Sequence, residues 1–197
     1  MMGRESLGRH WTTRLSCPIL IYCIMNIYLF PTELEAARFV RLRPSAHVVV
    51  SGVGMAATAA TLAELARVGA LEGRRVVLAG IAGAYDGRVA VGEVVEVTEE
   101  CCLELPERFL RSYRVEAKTE LRAVRSACVH RGVDGVADAD VENMEGATLF
   151  AVAEALGFEA VEVRAISNRV GEPFAEWKVD EALEALTEIL IKIEDNA

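Results

Sequence analysis

Histidine and paired cysteines are scarce in this 197-residue chain. It has three histidines, and its five cysteines show neither C-x-x-C spacing nor a nearby histidine cluster. These patterns exclude the usual sequence signatures of a zinc site and of a disulfide framework. We therefore expect no metal, no cofactor and a reducing, cytoplasmic location.

An excess of positive charge is also missing. The formal net charge is −9, and the arginines are scattered along the chain instead of forming a basic stripe. Such a chain does not attract a phosphate backbone, so nucleic acid is not an expected partner. The apolar content of 52% is typical of a folded globular domain.

The N-terminal region lacks an apolar run long enough to span a membrane. Residues 15–30 are apolar and follow several basic residues, as in a signal peptide, but no A-x-A-like cleavage site comes after them. The run is also shorter than the roughly 20 residues of a membrane span, so no membrane contact is expected. Because a plausible first strand begins at Met25, we interpret residues 1–24 as an N-terminal extension of doubtful reality and 25–197 as a single domain.

From Met25 onward, strand patterns and helix patterns alternate. Helical spacing of apolar residues is found in residues 32–40, 55–71, 144–158 and 180–196, and strand-like segments in 25–30, 46–52, 74–85, 91–105 and 159–168. This order predicts an α/β sandwich around a mostly parallel sheet. We expect the second helix to end at Gly73 and residues 91–105 to form a half-buried strand, whereas 106–140 fits either helix or irregular strand.

Two glycine-rich segments follow strands. Gly52, Gly54 and Ala57 fit the G-x-G-x-x-A pattern of a dinucleotide site. That site also needs an acidic residue at the end of the next strand, and the segment VVLAG supplies none. A second glycine turn, predicted at Gly80 and Gly83, offers free amides and room for a ring or a sugar instead.

Four segments, in order, resemble the signature segments of the nucleoside phosphorylase and methylthioadenosine nucleosidase superfamily. They are SGVG (51–54), LAGIAGAY (78–85), ENMEGA (142–147) and RAISN (164–168). Within it, GIAGAY, MEGA and ISN followed by VGEP and Trp177 are most similar to the futalosine hydrolases. The likeness runs from Met25 to the C-terminus and is poor between Cys101 and Asp140. It implies a three-layer α/β/α sandwich with a mixed, mostly parallel central sheet, a purine nucleoside substrate and a homo-oligomer, first of all a dimer.

The resemblance also assigns substrate-binding residues. Breaking an N-ribosidic bond builds positive charge on the sugar, which a carboxylate stabilises. Glu145 is implied as the glutamate that binds the ribose hydroxyls, with Met144 packed on the sugar; the alternative is a first-turn acid that complements the helix dipole. Its neighbour Glu142 is expected to be exposed and without a role. The other implied substrate-binding residues are Gly54, Ile81, Ala82, Gly83 and Asn143.

Two further residues are predicted to be catalytic. Glu35 resembles the carboxylate that orients or deprotonates the attacking water, although Glu33 is an alternative and either could be a solvated helix-cap acid. Asn168 stands where adenine-specific nucleosidases have aspartate. An amide offers one donor and one acceptor, which suits a 6-oxopurine such as hypoxanthine. The alternative is an asparagine that merely closes a turn.

The nucleophile is predicted to be water. Related phosphorylases have an arginine before the second glycine segment and a serine or threonine inside it, whereas this chain has Ala79 and Ile81. The chain retains other cations that keep phosphorolysis open: Arg38, Arg41, Arg43 and Arg88. The lone histidines, His47 and His130, are expected to be surface or packing residues. The predicted function is therefore hydrolysis of futalosine, with a purine nucleoside phosphorylase, a methylthioadenosine/adenosylhomocysteine nucleosidase and a silent nucleoside-binding protein as alternatives.

Overall fold

A computed structural model describes residues 25–85, 87–131 and 138–196. The interpretation of residues 1–24 lies outside that part of the chain. The described residues form eight strands, β1 Met25–Phe30, β2 His47–Val50, β3 Arg74–Ala84, β4 Val94–Cys101, β5 Ser112–Arg114, β6 Arg122–Cys128, β7 Val141–Asn143 and β8 Glu159–Arg169. They also form four α-helices, α1 Glu33–Leu42, α2 Met55–Arg67, α3 Gly146–Leu156 and α4 Val179–Asp195. None of these helices is both long and apolar enough to cross a bilayer.

The eight strands belong to one mixed sheet. Strand β1 pairs in parallel with β2 and β3, and β3 pairs in parallel with β8. Strand β4 is antiparallel to β8 and to β5 but parallel to β6, which is parallel to β7. Because β7 returns to pair antiparallel with β3, the strands β3, β8, β4, β6 and β7 close into a ring. The predicted α/β class with a mixed, mostly parallel sheet is confirmed.

Helices cover both faces of the sheet. Alternate residues of β1 point to opposite faces, so Leu29 packs with Leu62 of α2 and Leu149 of α3. On the other face, Phe30 packs with Phe39 of α1 and Leu186 of α4. These two apolar layers anchor the strands, and the carboxyl ends of β1, β3 and β8 lie together because the three strands are parallel.

The predicted second glycine turn is wrong. Gly80 and Gly83 lie inside the continuous strand β3, with a bulge between Ala82 and Gly83. A Cβ at Gly80 would stand 2.7 Å from Arg164 Nη1 and 2.8 Å from Glu35 Oε1. One at Gly83 would stand 3.2 Å from Asn168 Nδ2. These glycines therefore make room for side chains that approach the strand, and not for a turn.

Two predicted boundaries also change. Helix α2 ends at Arg67, where Gly69 adopts a φ of 72° that suits glycine, so the helix does not extend to Gly73. The ambiguous region from 106 to 140 contains two strands, β5 and β6, and no α-helix among its described residues. Pairing with β4 stabilises both strands, which is a long-range effect.

Strand β4 is more buried than its alternating pattern predicts. Glu96 and Glu100 occupy polar positions of that pattern, yet both are fully buried. Glu96 accepts hydrogen bonds from the backbone amides of Lys118 at 2.7 Å and Thr119 at 2.9 Å, which compensate for its lost hydration. Glu100 lies inside the strand ring.

Candidate active site

A cavity of about 640 Å³ opens where the parallel strands β1, β3 and β8 end. All the predicted site residues line it except Gly54, which contacts the lining residue Glu145. Four segments of the chain meet at this point, since Glu35 follows β1, Ile81 lies in β3, Glu145 follows β7 and Asn168 is the last residue but one of β8. Such an edge of a parallel sheet is a common ligand-binding position.

Glu145 stands at the start of α3 and is buried. Its Oε1 accepts a hydrogen bond from the Gly54 amide at 2.8 Å, and its Oε2 accepts one from Arg164 Nη2 at 3.1 Å. The side chain makes no helix-capping bond. That function belongs to Asn143, whose Oδ1 accepts from the amides of Glu145 and Gly146, both at 2.8 Å. The carboxylate of Glu145 is therefore directed toward the cavity and not toward the helix end.

The contact between Gly54 and Glu145 also argues against a dinucleotide site at Gly52 and Gly54. Gly54 precedes α2 with a φ of 92°, which favours glycine. Its amide is one of the free donors at a helix start that a pyrophosphate would need. Here a carboxylate of the same chain takes that donor.

Glu35 lies in the first turn of α1 and is buried, with a relative exposure of 7%. Its Oε1 accepts from the Ile81 amide at 3.0 Å, and its Oε2 accepts from the Thr32 hydroxyl at 2.6 Å. Thr32 also caps the helix, so the cap and the carboxylate are fixed together. The alternative, Glu33, is exposed and lines a separate groove between α1 and β2. Of the two glutamates, Glu35 is the one in the cavity wall.

Arg164 is a site residue that the sequence reasoning missed. It is 1% exposed and donates from Nε to Glu162 Oε1 at 2.8 Å and from Nη2 to Glu145 Oε2 at 3.1 Å. Burial alone would lower the pKa of its guanidinium, but the carboxylates of Glu162 and Glu145 raise the pKa above its ordinary value, so the side chain stays charged. The available signal was a charged residue inside residues 159–168, which the sequence predicts to be a strand.

The other end of the cavity can hold a base. Asn168 is buried, accepts from the Ser167 hydroxyl at 2.8 Å and donates from Nδ2 to the Arg169 carbonyl at 2.9 Å. Its amide retains a second N–H and a second lone pair for a ligand. Phe174 and Trp177 also line the cavity, with ring centroids 5.1 Å apart. This aromatic pair provides a surface on which a planar base can pack.

The expectation that Glu142 is exposed is wrong. Glu142 is half-buried, lines the cavity and accepts a hydrogen bond from the Tyr85 hydroxyl at 3.0 Å. The cause is its pairing with Gly83 across the antiparallel strands β7 and β3, which directs its side chain to the same wall as Asn168.

A phosphate ion finds little positive charge here. Among the described lining residues, Arg164 is the only arginine or lysine, and carboxylates already hold it. Arg38 and Arg43 pair with Glu184 and Asp195 of α4 at the surface. Arg41 is exposed and outside the lining, and Arg88 donates to the Ala139 carbonyl at 2.8 Å.

The remaining expectations concern histidines and metals. His47 and His130 are both exposed and do not line the cavity. In the part of the chain that the structure describes, no three histidine, cysteine, aspartate or glutamate side chains are grouped so as to bind one metal ion.

Comparison with known proteins supports one family. Residues 107–193 match the model of the phosphorylase superfamily. The chain is 30% identical over 209 residues to the futalosine hydrolase of Thermus thermophilus, an alignment that covers 82% of this chain and 92% of that protein.

Solved structures agree in fold. The native futalosine hydrolase of Helicobacter pylori superposes with a TM-score of 0.76 at 12% identity, over 88% of this chain and 99% of that one. The 5'-methylthioadenosine/S-adenosylhomocysteine nucleosidase of Helicobacter pylori gives a TM-score of 0.76 at 12% identity, over 89% and 100%. At such identities the structures establish the fold, whereas the Thermus relative establishes the family. The chain therefore belongs to the futalosine hydrolase family within the phosphorylase superfamily.

Proposed function

We propose that this protein is a nucleosidase that hydrolyses the N-ribosidic bond of a 6-oxopurine nucleoside, most directly futalosine, to hypoxanthine and dehypoxanthine futalosine. The observation that carries the proposal is the joint placement of Glu35, Glu145 and Asn168 in one cavity. This substrate would put the reaction in menaquinone synthesis, in the cytoplasm. The family relationship to a futalosine hydrolase supports the same substrate.

Glu145 is proposed to bind the ribose. Each of its oxygens already accepts one hydrogen bond and has capacity left for a ribose hydroxyl. As the bond from C1′ to the base nitrogen breaks, positive charge develops on the sugar ring. A buried carboxylate beside that ring stabilises the charge strongly, because little water screens the interaction.

Glu35 is proposed to orient the attacking water. Its two oxygens are fixed by the Ile81 amide and the Thr32 hydroxyl, so the carboxylate can accept a water proton in a defined direction. The water oxygen forms the new bond to C1′, and its proton passes to the carboxylate. Arg164, which lies near Glu35 across Gly80, is a second fixed group at this point.

Asn168 is proposed to bind the departing base. The electron pair of the broken bond remains on the base, which needs hydrogen-bond donors and takes up one proton from solvent, while the proton that Glu35 accepted from water returns to solvent. The free N–H of Asn168 can donate to a purine nitrogen or to the 6-oxo group, while the aromatic pair packs against the ring. Stabilisation of the base therefore relies on hydrogen bonding and not on an acid at this residue.

The direct test is release of free base from futalosine, inosine and methylthioadenosine, each with and without phosphate. We expect hypoxanthine from futalosine at the same rate in both buffers, because the only cation among the described lining residues, Arg164, is already paired with carboxylates. A sugar phosphate product, adenine release as the dominant reaction, or binding without turnover would each contradict the proposal. Those outcomes correspond to a phosphorylase, an adenine-specific nucleosidase and a silent binding protein, respectively.

A homodimer is the expected assembly. Three apolar side chains at the cavity, Leu34, Val53 and Phe174, are 66%, 54% and 73% exposed. Exposed apolar groups gathered at one place favour association. We expect sedimentation to give a dimer at micromolar concentration, and Leu34→Glu to shift it toward monomer. Leu156→Glu is the control, because Leu156 is 55% exposed on α3 and lies outside the cavity. A fully active wild-type monomer would rule out this assembly.

A further inference from the structure

Two glutamates from different strands meet inside the strand ring. Glu100 of β4 and Glu162 of β8 are both fully buried. A Cβ on Gly146, the first residue of α3, would overlap carboxyl oxygens of both. Among the described residues, Oε2 of each glutamate has no hydrogen-bond partner. Two carboxyl groups that hydrogen-bond each other in a dry interior cannot both be charged at low cost, and one shared proton removes that cost.

The proton belongs on Glu100. Burial, and then the charge of Glu162, raise the pKa of Glu100 well above its ordinary value. Burial raises the pKa of Glu162 as well, but the charge of Arg164 and its bond from Nε at 2.8 Å oppose that rise. The ion pair with Arg164 therefore favours the charged form of Glu162, and the proton is expected on Glu100.

Other elements packed on the pair do not supply a second positive charge. Within the described residues, the start of α3 contributes the Glu145 carboxylate, and β6 contributes Cys128, whose pKa is raised by burial so that the thiol stays neutral. Of the cations in the described part of the chain, Arg164 is the one that lowers the pKa of Glu100. The single guanidinium of Arg164 thus faces the three carboxyl groups of Glu100, Glu162 and Glu145. Because it cannot neutralise three negative charges, a proton on one of the carboxyl groups is favoured.

We propose that Glu100 and Glu162 share one proton, and that this acid–carboxylate pair is a positioning device that fixes Arg164 against the carboxylates of the cavity. The proton sharing is argued from the contact between the two glutamates and does not depend on the proposed nucleosidase function, whereas its effect on turnover rests on that function.

The glutamate pair affects the cavity first through its hydrogen bond with Arg164. Glu162 Oε1 accepts the hydrogen bond from Arg164 Nε, so both terminal nitrogens of the guanidinium remain available for other partners. Nη2 donates to Glu145 at 3.1 Å, and Nη1 lies 3.4 Å from the Ile81 carbonyl. Removing the charge of Glu162 would free the guanidinium to turn and would shift Glu145 with it.

The glutamate pair also affects the cavity through its hydrogen bond with Asn143. Its Nδ2 donates to Glu100 Oε1, and its Oδ1 accepts from Arg164 Nη2 at 3.0 Å and from the amide of Glu145. Since Asn143 also fixes the first amide of α3, Glu100 helps to hold the turn that presents Glu145.

Glu100→Gln and Glu162→Gln separate the two roles. Glutamine at 100 donates the same hydrogen bond at any pH, so we expect kcat within about fivefold of the wild type. Glutamine at 162 leaves Arg164 without its inner counter-charge, so kcat should fall about tenfold to a hundredfold with little change in KM. Glu96→Gln is the matched control, because Glu96 is equally buried on the same strand but is bonded to Thr119 and Lys118 outside the cavity.

The presence of the proton shared by Glu100 and Glu162 can be measured without substrate. At neutral pH the infrared spectrum of the wild type should contain a carboxylic acid carbonyl band that is lost in E100Q and retained in E96Q. Because folding raises the pKa of Glu100, its stabilising contribution is complete below the ordinary value of 4.5 and is lost as the pH rises toward the folded value. Thermal stability should therefore fall less with rising pH in E100Q than in the wild type.

Each half of the proposal can fail by itself. Absence of the infrared band, or an E100Q stability curve parallel to that of the wild type, would overturn proton sharing. A folded E162Q protein with wild-type kcat would overturn positioning. Should E162Q not fold, Glu162→Asp keeps the charge but withdraws it from Arg164, and wild-type kcat there would have the same meaning. If the wild type cleaves no nucleoside, the proposed function fails while the infrared and unfolding measurements still decide the proton.

Discussion

Glu145→Gln is expected to lower kcat by a factor on the order of 10² or more without unfolding the protein, as removal of a single electrostatic contact commonly does. Glutamine has nearly the same shape, but its single amide oxygen can accept from only one of the two donors that Glu145 binds, the Gly54 amide or Arg164. It cannot offer a full negative charge to the sugar as positive charge develops. Because that charge appears in the transition state, kcat should fall more than KM rises.

The measurement for Glu145 combines initial rates of base release with thermal unfolding. Glu154→Gln provides a control, because Glu154 lies on the same helix but is exposed and paired with Arg111. The control should keep both kcat and stability. A near-normal kcat in a folded Glu145→Gln protein would remove Glu145 from the ribose site.

Local sequence signals predicted the parts of the fold that depend on local structure. The pattern around Met25 to Phe30 gave strand β1, and helices α1, α3 and α4 followed from their apolar spacing, because strand and helix periodicity are properties of neighbouring residues. Glu145 and Asn168 belong to the motif segments and Glu35 lies outside them, yet all three line one cavity, since each stands near the end of an element that the sheet aligns.

The features of the fold and the site that the sequence did not predict depend on contacts between residues distant in sequence. The glycines of β3 suggested a turn because glycine usually marks one, whereas here they admit Arg164 and Glu35 from other strands and helices. Arg164 itself lies in the buried strand β8 beside Glu162, but its role in the site depends on the distant Glu145, which precedes α3.

Ring closure has the same long-range origin. It requires β7 to return to β3, and the pairing that stabilises β6 in the ambiguous middle region comes from β4. The buried position of Glu100 follows from that closure and not from the alternating pattern of the strand.

Asn168→Asp should shift the base preference toward adenine nucleosides. In the wild type, the Asn168 amide can pair with the acceptors of a 6-oxopurine, which an adenine lacks at position 6. Aspartate removes the amide donor and restores an ionisable group beside the leaving nitrogen. One hydrogen-bonded pair in a buried site corresponds to about 1 to 3 kcal/mol, which is roughly tenfold to a hundredfold in relative kcat/KM.

A purely structural asparagine makes a different prediction. Asn168 donates to the Arg169 carbonyl at 2.9 Å, so aspartate would lose that bond and lower stability without changing the substrate ratio. Asn26→Asp is the matched control, because Asn26 is also buried but bonds Tyr28 at the opposite end of β1 from the cavity. We expect Asn26→Asp to cost stability alone and Asn168→Asp to change the ratio of futalosine to methylthioadenosine cleavage. An unchanged ratio in a well-folded Asn168→Asp protein would remove Asn168 from base recognition and, with it, the main residue-level argument for a 6-oxopurine substrate.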